Sequence, residues 1–517
     1  MKRLPAILAF LLLAYQAAIP WTTAPYVTQD GPSYVYTAAI ARDLALHPHG
    51  YYSGLYRFQP KLVMNWTPAL ILGVFIPVFG APHAEAALAS LCVIVGFFGI
   101  AYWRRSLDPL DSGFDPLTNF LVNTWFFWIG FYSFCLGAGV SAVLSGFYIR
   151  HAAGLSRTQA ALLAAGLVAS FFTHVLPTLM ALLVIALAAV WARPPRAARN
   201  RTLAALAPAA MLLIFFVRPS LGRIPFVPAA GWAWRLFPMH VFTSAAGIAG
   251  EERLLVPAML VYICAAFALM KRDEWNTIRG ALALAAALCF AAYLLAPNTG
   301  FGGGEIKIRF SWYLFVFGCT AAAQTRRLRP LRSMVSLYAA ALVLAGLIPA
   351  MQNARRISRA ADEYAAALAA IPPHSTFVRL RYQSRDARRR LNFDSSPSEP
   401  LMHLDAWYAA RNQCIDLTDY QALNRLYAVT FRRFTITGEQ QNWLFLSEDG
   451  EAHGFAPLRR ALETVPVRIE YVVMLGDEGA EATRASDFRQ AAAWLDAAAR
   501  LVSRNSFVRV YQTAQPR

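Results

Sequence analysis

The run Gln29-Asp30-Gly31-Pro32-Ser33-Tyr34-Val35-Tyr36 puts one carboxylate just beyond an apolar segment, Leu4 to Trp21, that Lys2 and Arg3 precede. The segment is long enough to cross a bilayer, and the positive-inside rule then leaves Asp30 on the outer side, near the interface. Gly31-Pro32 favours a turn directly after Asp30, which fixes the carboxylate relative to the helix it leaves. An Asx-type turn, in which Asp30 only satisfies backbone donors, explains the same residues without chemistry. The run alone favours neither.

Composition sets the class. Of 517 residues, 57% are hydrophobic and 15% charged, the balance of a polytopic membrane protein. The net charge of +18 invites nucleic acid as a partner. Much of the Lys and Arg, however, sits in short loops between apolar runs, where it sets topology, so nucleic acid is set aside and the bilayer is the expected partner. Cys92, Cys135, Cys264, Cys289 and Cys319 fall in apolar segments and Cys414 in the polar tail, a spacing that makes neither a disulfide framework nor a zinc site. Ala17-Ala18 would suit a signal-peptide cleavage point, but more membrane follows, so the first helix is expected to be retained.

After the first span comes a polar, aromatic loop over residues 22–61. Within it, Tyr34 to Asp43 reads as a helix lying on the membrane with Tyr anchors at headgroup depth. Apolar stretches then run from Leu62 to Gly80, Glu85 to Trp103, Leu117 to Phe134, Leu136 to Ile149, and Thr158 to Trp191, the last broken at Thr173-His174-Val175-Leu176-Pro177. Further stretches are Thr202 to Val217, Leu254 to Met270, Ala281 to Pro297, Phe310 to Thr325 and Met334 to Ala350. The basic loops Arg193 to Arg201, Lys271 to Arg279 and Arg326 to Arg332 should be cytoplasmic. Counting every stretch gives an even number, whereas a cytoplasmic N-terminus and an external tail need an odd one. Fusing Leu117 to Ile149 into one crossing gives about eleven crossings and puts His174 at the outer face; letting Thr158 to Trp191 cross once instead buries His174 mid-span. The basic Arg150 and Arg157 favour the first version, and Arg104-Arg105, which it leaves outside, count against it.

Residues 1–350 therefore read as a transmembrane domain and residues 351–517 as a periplasmic α/β domain. In the tail, Thr376 to Leu380, Ile469 to Met474 and Phe507 to Tyr511 have strand composition, and Phe488, Ala491, Trp494, Leu495, Ala498 and Leu501 share one helical face.

The polar groups that reach the outer face are the candidates for chemistry. The first loop carries Asp30, Tyr34, His47, His49 and Arg57, while Asn65-Trp66 opens the second apolar stretch at the same depth. His174 breaks a helix there, and a helix-break histidine with satisfied bonds is the commoner reading of it. Gly302-Gly303-Gly304-Glu305-Ile306-Lys307-Ile308-Arg309-Phe310 brings a flexible run and two cations to a helix start. Arg309 can hold two phosphate oxygens in a fixed fork, with Lys307 as a point charge. Snorkelling explains a lone interfacial Arg equally well, and Glu305 can simply pair with Lys307.

Together, Asp30 in Asp-Gly-Pro-Ser-Tyr-Val-Tyr, Asn65-Trp66, Thr173-His174-Val175-Leu176-Pro177 and Glu305 to Phe310 resemble the GT-C superfamily of integral-membrane glycosyltransferases, bacterial members of which carry a periplasmic tail domain. The resemblance covers the whole layout through short motifs. It implies an inner-membrane, multi-pass enzyme that takes a polyprenyl-phosphate sugar as donor and a glycan, lipid or protein as acceptor. Asp30 would match the acid of the first external loop, which acts as base or metal ligand, and Arg309 the cation that binds lipid phosphate. Members with paired acids use a divalent metal; here Gly31 follows Asp30 and the next acid is Asp43, so metal dependence stays open.

The implied reaction is a single displacement with inversion. Asp30 takes the acceptor proton, and the polyprenyl phosphate leaves already ionised against Arg309, with Lys307 assisting. Two other classes compete. A transporter or flippase would carry ionisable groups inside its spans, and these spans hold almost none. A third reading makes the spans an anchor for a ligand-binding tail.

Overall fold

In a computed structural model, the structure describes residues 4–109, 111, 113–218, 249–296, 304–382, 401–424, 426–432, 459, 462–463, 467–476, 482–506 and 508–513. The chain forms two compact units: residues 1–19, 62–67 and 89–351 in one, and 20–61, 68–88 and 352–517 in the other. Among the described residues, seven helices are long and apolar enough to cross a membrane, and Trp66–Phe79 and Ala258–Leu269 are shorter apolar helices.

The helical unit takes in α1 (Leu4–Ala18), most of α4 (Ala81–Leu107), α5 (Pro116–Val122), α6 (Trp125–Ile129), α7 (Tyr132–His151), α8 (Arg157–Thr173), α9 (Val175–Ala192) and α10 (Arg196–Val217). It continues with α11 (Ala249–Leu269), α12 (Arg272–Trp275), α13 (Ile278–Leu295), α14 (Ile306–Gln324) and the first half of α15 (Arg332–Leu368). The expected span Leu117 to Phe134 is not one helix. Asn123 and Thr124 interrupt it, and Gly130, at φ 90°, closes α6 in the left-handed region that glycine enters without strain.

Helix directions follow from contacts at matched heights. Ser90 donates to the Ala17 carbonyl (2.7 Å) and Phe10 packs on Phe97 at 5.9 Å between centroids, so α1 and α4 are antiparallel. Cys92 meets the Tyr132 carbonyl at 3.8 Å and Arg150 lies 5.0 Å over the Tyr102 ring, so α7 runs alongside α4 in the same direction. Segment α5 runs the opposite way, because Arg104 binds Asp115 (2.6 Å) near its start while Val122 lies against Gly96.

The basic loops meet at one end of this unit. Arg329 pairs with Asp108 at 3.0 Å, Arg279 with Glu274 at 3.0 Å and Arg326 with Asp273 at 3.0 Å. Trp191 donates to the Trp275 carbonyl (2.9 Å), and Arg201 to the Leu155 carbonyl (2.8 Å). Arg104, expected at the opposite face, belongs to this end too, where Asp111 (3.0 Å) and Asp115 (2.6 Å) neutralise it. The short apolar helix α3 (Trp66–Phe79) has fourteen residues, roughly 21 Å of helix. Its first turn is tied to the far end by the Thr67–Thr173 hydroxyl bond (2.8 Å). Residues 116–129 run back along α4 and α7, antiparallel to both, so the expected single crossing from Leu117 to Ile149 is two segments of opposite direction.

The second unit joins the first loop to the tail. Among the described residues its sheet has the order β3-β2-β5-β7-β6, built from β2 (Thr376–Tyr382), β3 (Ile415–Asp416), β5 (Tyr471–Gly476), β6 (Ala499–Arg504) and β7 (Val508–Thr513). Strand β2 is parallel to β3 and β5, while β7 is antiparallel to β5 and β6. Helix α18 (Ala482–Ala498) buries Phe488, Ala491 and Leu495 against one face of the sheet. Leu501, expected on that helix, lies in β6 and is 41% exposed, because the chain turns into strand at Ala499; Phe507 lies outside the described residues.

The expected surface helix is α2 (Gly31–Leu46), and it is buried inside this unit. Val27, Tyr36, Ile40, Leu44, Tyr52 and Tyr56 share one core with Ile357, Tyr364, Leu404, Trp407 and Val473. Strand β3 ends the sheet, and its outward backbone groups bond tyrosines instead of another strand. The Tyr36 hydroxyl accepts from Asp416 N (3.0 Å) and donates to Cys414 O (2.8 Å), and Tyr56 donates to Asp416 O (3.2 Å). Strand β1 (Tyr56–Phe58) pairs antiparallel with β4 (Val429–Phe431). Since residues 27–58 complete this core, residues 352–517 expressed alone should give no cooperative thermal transition by circular dichroism, while a chain that also carries residues 20–61 should regain one. A sharp, cooperative melt of the isolated tail would refute this account of its core.

Candidate functional site

Asp30 occupies the N-cap position of α2, yet its side chain makes no capping hydrogen bond. Thr28 does that work: its hydroxyl accepts from Gly31 N at 3.0 Å. Thr28 is in turn held by Glu85, whose Oε1 accepts from the Thr28 amide (2.9 Å) and hydroxyl (2.7 Å). A Cβ on Gly31 would lie 1.8 Å from that Glu85 oxygen, so only glycine fits between the two acids. The Asx-turn account of Asp30 is thereby replaced by a Thr–Glu arrangement, and Asp30 is spared for other contacts.

Those contacts come from the tail. The Tyr420 hydroxyl donates to Asp30 Oδ2 at 3.0 Å, and Gln29 Nε2 donates to Oδ1 at 3.3 Å. Asp30 is only 8% exposed, and the N-terminus of α2 favours its negative charge. Tyr420 opens the short helix α17 (Tyr420–Leu423). Its ring stacks on His403 (4.4 Å between centroids, 28° between planes) and meets Tyr427 edge-on at 5.8 Å. Tyr34, one turn into α2, packs edge-on against Tyr427 at 6.0 Å. Burial, and then the Asp30 charge, push the Tyr420 phenol well above its usual pKa, so it stays a proton donor. Burial, with Arg379 and Arg381 nearby, holds His403 well below the usual imidazole range and hence neutral.

Asp419 anchors α17, its Oδ1 accepting from Gln421 N at 3.1 Å. It is 1% exposed, and burial lifts its pKa to about 7.

The other sequence candidates are distributed as follows. His47 closes the opposite end of α2, where it pairs with Asp43 at 3.0 Å, roughly 24 Å of helix from Asp30. His174, Arg309 and the Asn65 segment meet in the helical unit, at the end away from the basic loops. His174 is the N-cap of α9 and its Nδ1 accepts from Leu176 N (3.2 Å), the satisfied helix-break role. Its ring stands edge-on to Phe134 at 5.5 Å. The Arg309 guanidinium lies 5.5 Å over that same Phe134 and 4.9 Å over Phe131, a cation clamped between aromatic faces. Asn65 is buried in the left-handed region (φ 64°), which asparagine tolerates, and precedes the Thr67–Thr173 bond that ties it beside His174. Lys307 and Glu305 begin α14, with Glu305 at φ 58°. Two residues apart on a helix, Lys307 and Arg309 point roughly 200° apart around the axis. Gly302 and Gly303 lie outside the described residues. Among the described residues no group of three or more metal-ligating side chains gathers.

Sequence reasoning missed Tyr420, Gln421, His403, Glu85 and the Phe131–Phe134 clamp. Only Glu85 carried a signal, as an acid at the head of an apolar run.

No protein-family model and no curated protein matches this chain. Among solved structures, ArnT from Cupriavidus metallidurans in the apo state is similar at 12% identity, covering 98% of this chain and 99% of that one, with a TM-score of 0.48. ArnT from Cupriavidus metallidurans bound to undecaprenyl phosphate is also similar, at 12% identity, the same coverage and a TM-score of 0.37. The likeness spans both chains almost entirely.

Two outcomes test this local architecture. Gly31→Ala should destabilise the protein by about 1–3 kcal/mol in a thermal melt, as overpacked sites do; an unchanged melting temperature would refute the contact with Glu85. Asp419 binds its proton more tightly folded than unfolded, so its contribution to stability falls as pH rises from about 4 to about 7 and then levels off. Asp419→Asn should therefore gain melting temperature relative to wild type at pH 8 and lose that advantage near pH 5; a pH-independent difference would contradict the assignment.

Proposed function

We propose that this protein is a membrane glycosyltransferase that moves a sugar from a polyprenyl-phosphate donor to an extracytoplasmic acceptor with inversion. The observation that carries the reading is Asp30: a buried carboxylate at a helix N-terminus, relieved of capping by Thr28 and held by a phenol from the tail. A carboxylate kept in a fixed orientation, and not spent on capping α2, suits a general base.

In the mechanism, Asp30 takes the proton from the acceptor hydroxyl as its oxygen attacks the anomeric carbon. The new carbon–oxygen bond forms as the bond to the lipid phosphate breaks, and the phosphate departs as an anion with the bonding pair. It needs a cation and no general acid. Arg309, clamped on Phe131 and Phe134, supplies fixed positive charge for that oxygen, and because the ring contacts set its orientation little reorganisation accompanies the reaction. The helical spacing leaves Lys307 a secondary part. With the basic loops cytoplasmic by the positive-inside rule, the end bearing His174 and Arg309 is extracytoplasmic, the side on which a lipid-linked sugar would be consumed. Among the described residues, the buried ion pairs of the helical unit cluster at the basic end with Arg104 and do not mark a path through the spans, which weighs against a transporter.

In purified protein, Asp30→Asn should lower kcat by roughly 100-fold or more while undecaprenyl phosphate still binds. Arg309→Ala should weaken binding of undecaprenyl phosphate by roughly 10- to 100-fold, the range for a charge-assisted contact. Transfer at the wild-type rate by the Asp30 variant would remove it from the mechanism, and unchanged lipid-phosphate affinity would remove Arg309.

A further inference from the structure

The tail helix α17 enters the candidate site through a directed chain of hydrogen bonds. Thr37, two turns after Asp30 and so on nearly the same face of α2, donates its hydroxyl to Gln421 Oε1 at 2.7 Å. That contact turns the Gln421 amide so that its Nε2 donates to the Tyr420 hydroxyl at 3.2 Å. A phenol that accepts one bond has its proton left for another, and the Tyr420 oxygen lies 3.0 Å from Asp30 Oδ2. Thr37 is 1% exposed and Gln421 is fully buried, so water does not compete for these partners. The loop closes on itself: α2 supplies both the first donor and the final acceptor, and α17 bridges them.

We infer that Tyr420, oriented by Gln421 and Thr37, is a positioning residue for the Asp30 base, and that the tail domain is thereby a working part of the active site rather than an appendage. This rests on the reading of Asp30 as the base. The phenol does two things for that carboxylate. It fixes the orientation of the carboxylate, holding Oδ2 while Gln29 donates to Oδ1. It also favours the ionised form, since the phenol donates a hydrogen bond to the charged oxygen. The groups facing Asp30 are the phenols of Tyr420 and, behind it, Tyr427 and Tyr34, the neutral imidazole of His403 stacked on Tyr420, the amide of Gln29, and across Gly31 the Glu85 carboxylate. Within this set Tyr420 donates its hydroxyl proton to Asp30, and Gln29 donates from its amide.

The test is Tyr420→Phe in the full-length protein, which keeps the ring on His403 and removes only the hydroxyl. Activity needs Asp30 ionised, so it rises with pH through the pKa of the base; losing the donor raises that pKa, and the acid limb of the kcat profile should move to higher pH. At neutral pH kcat should fall by roughly 10- to 100-fold, the range for losing a hydrogen bond to a charged group, with the KM for donor unchanged. Thr37→Val, which leaves Tyr420 intact but frees Gln421 to rotate, should move the limb the same way by less. If Tyr420→Phe does not yield folded protein, Thr37→Val alone decides by the direction of its limb. A wild-type limb and rate in these variants, alongside an inactive Asp30→Asn, would overturn the positioning role while leaving the base intact. An active Asp30→Asn would instead overturn both together, at the level of the base.

Discussion

Helix α2 has more apolar and aromatic surface than a free loop segment can leave in water. Its burial is the constraint on which the second unit depends. Gly31 to Ala38 are buried without interruption, and Ile40 and Leu44 continue the stripe. The tail covers them, so the first loop and residues from 352 onward condense into one core. Tyr36 and Tyr56 then complete edge strand β3, whose unpaired backbone would otherwise need water or another strand. An edge closed by phenols stays soluble and fixes the register of α2 against the sheet. That register is what brings Tyr420 to Asp30.

The helical unit answers a different demand. Its charged loops neutralise one another at one end, through Asp108 with Arg329 and Glu274 with Arg279, while at the opposite end Phe131 and Phe134 hold Arg309 beside His174. Ion pairs bind the first end tightly because both signs are present. The second end offers its cation ring faces, whose quadrupoles attract it.

Several elements were legible from pattern alone. Apolar runs and basic loops marked the membrane class and gathered the loops correctly, since both signals are compositional and short-range. The break at His174 and the strand at Thr376 were readable for the same reason. Arg104 was misplaced because the count fused Leu117 to Ile149 into one crossing, whereas α5 and α7 run in opposite directions. The surface-helix reading of α2 failed because amphipathicity shows that a face must be covered and is silent about what covers it. Lys307 seemed a natural partner for Arg309 in the linear string, yet helical geometry turns the two apart.

The order of residues was sufficient to establish a multi-pass chain with an α/β tail, an acid at the head of α2, and a cation at the head of α14, because hydropathy, charge and turn chemistry act over a few residues. Which side chains reach that acid depended on packing. Tyr420 stands 390 positions from Asp30, and a contact of that separation exists only because burying α2 against the tail lowers free energy more than ordering the loop raises it.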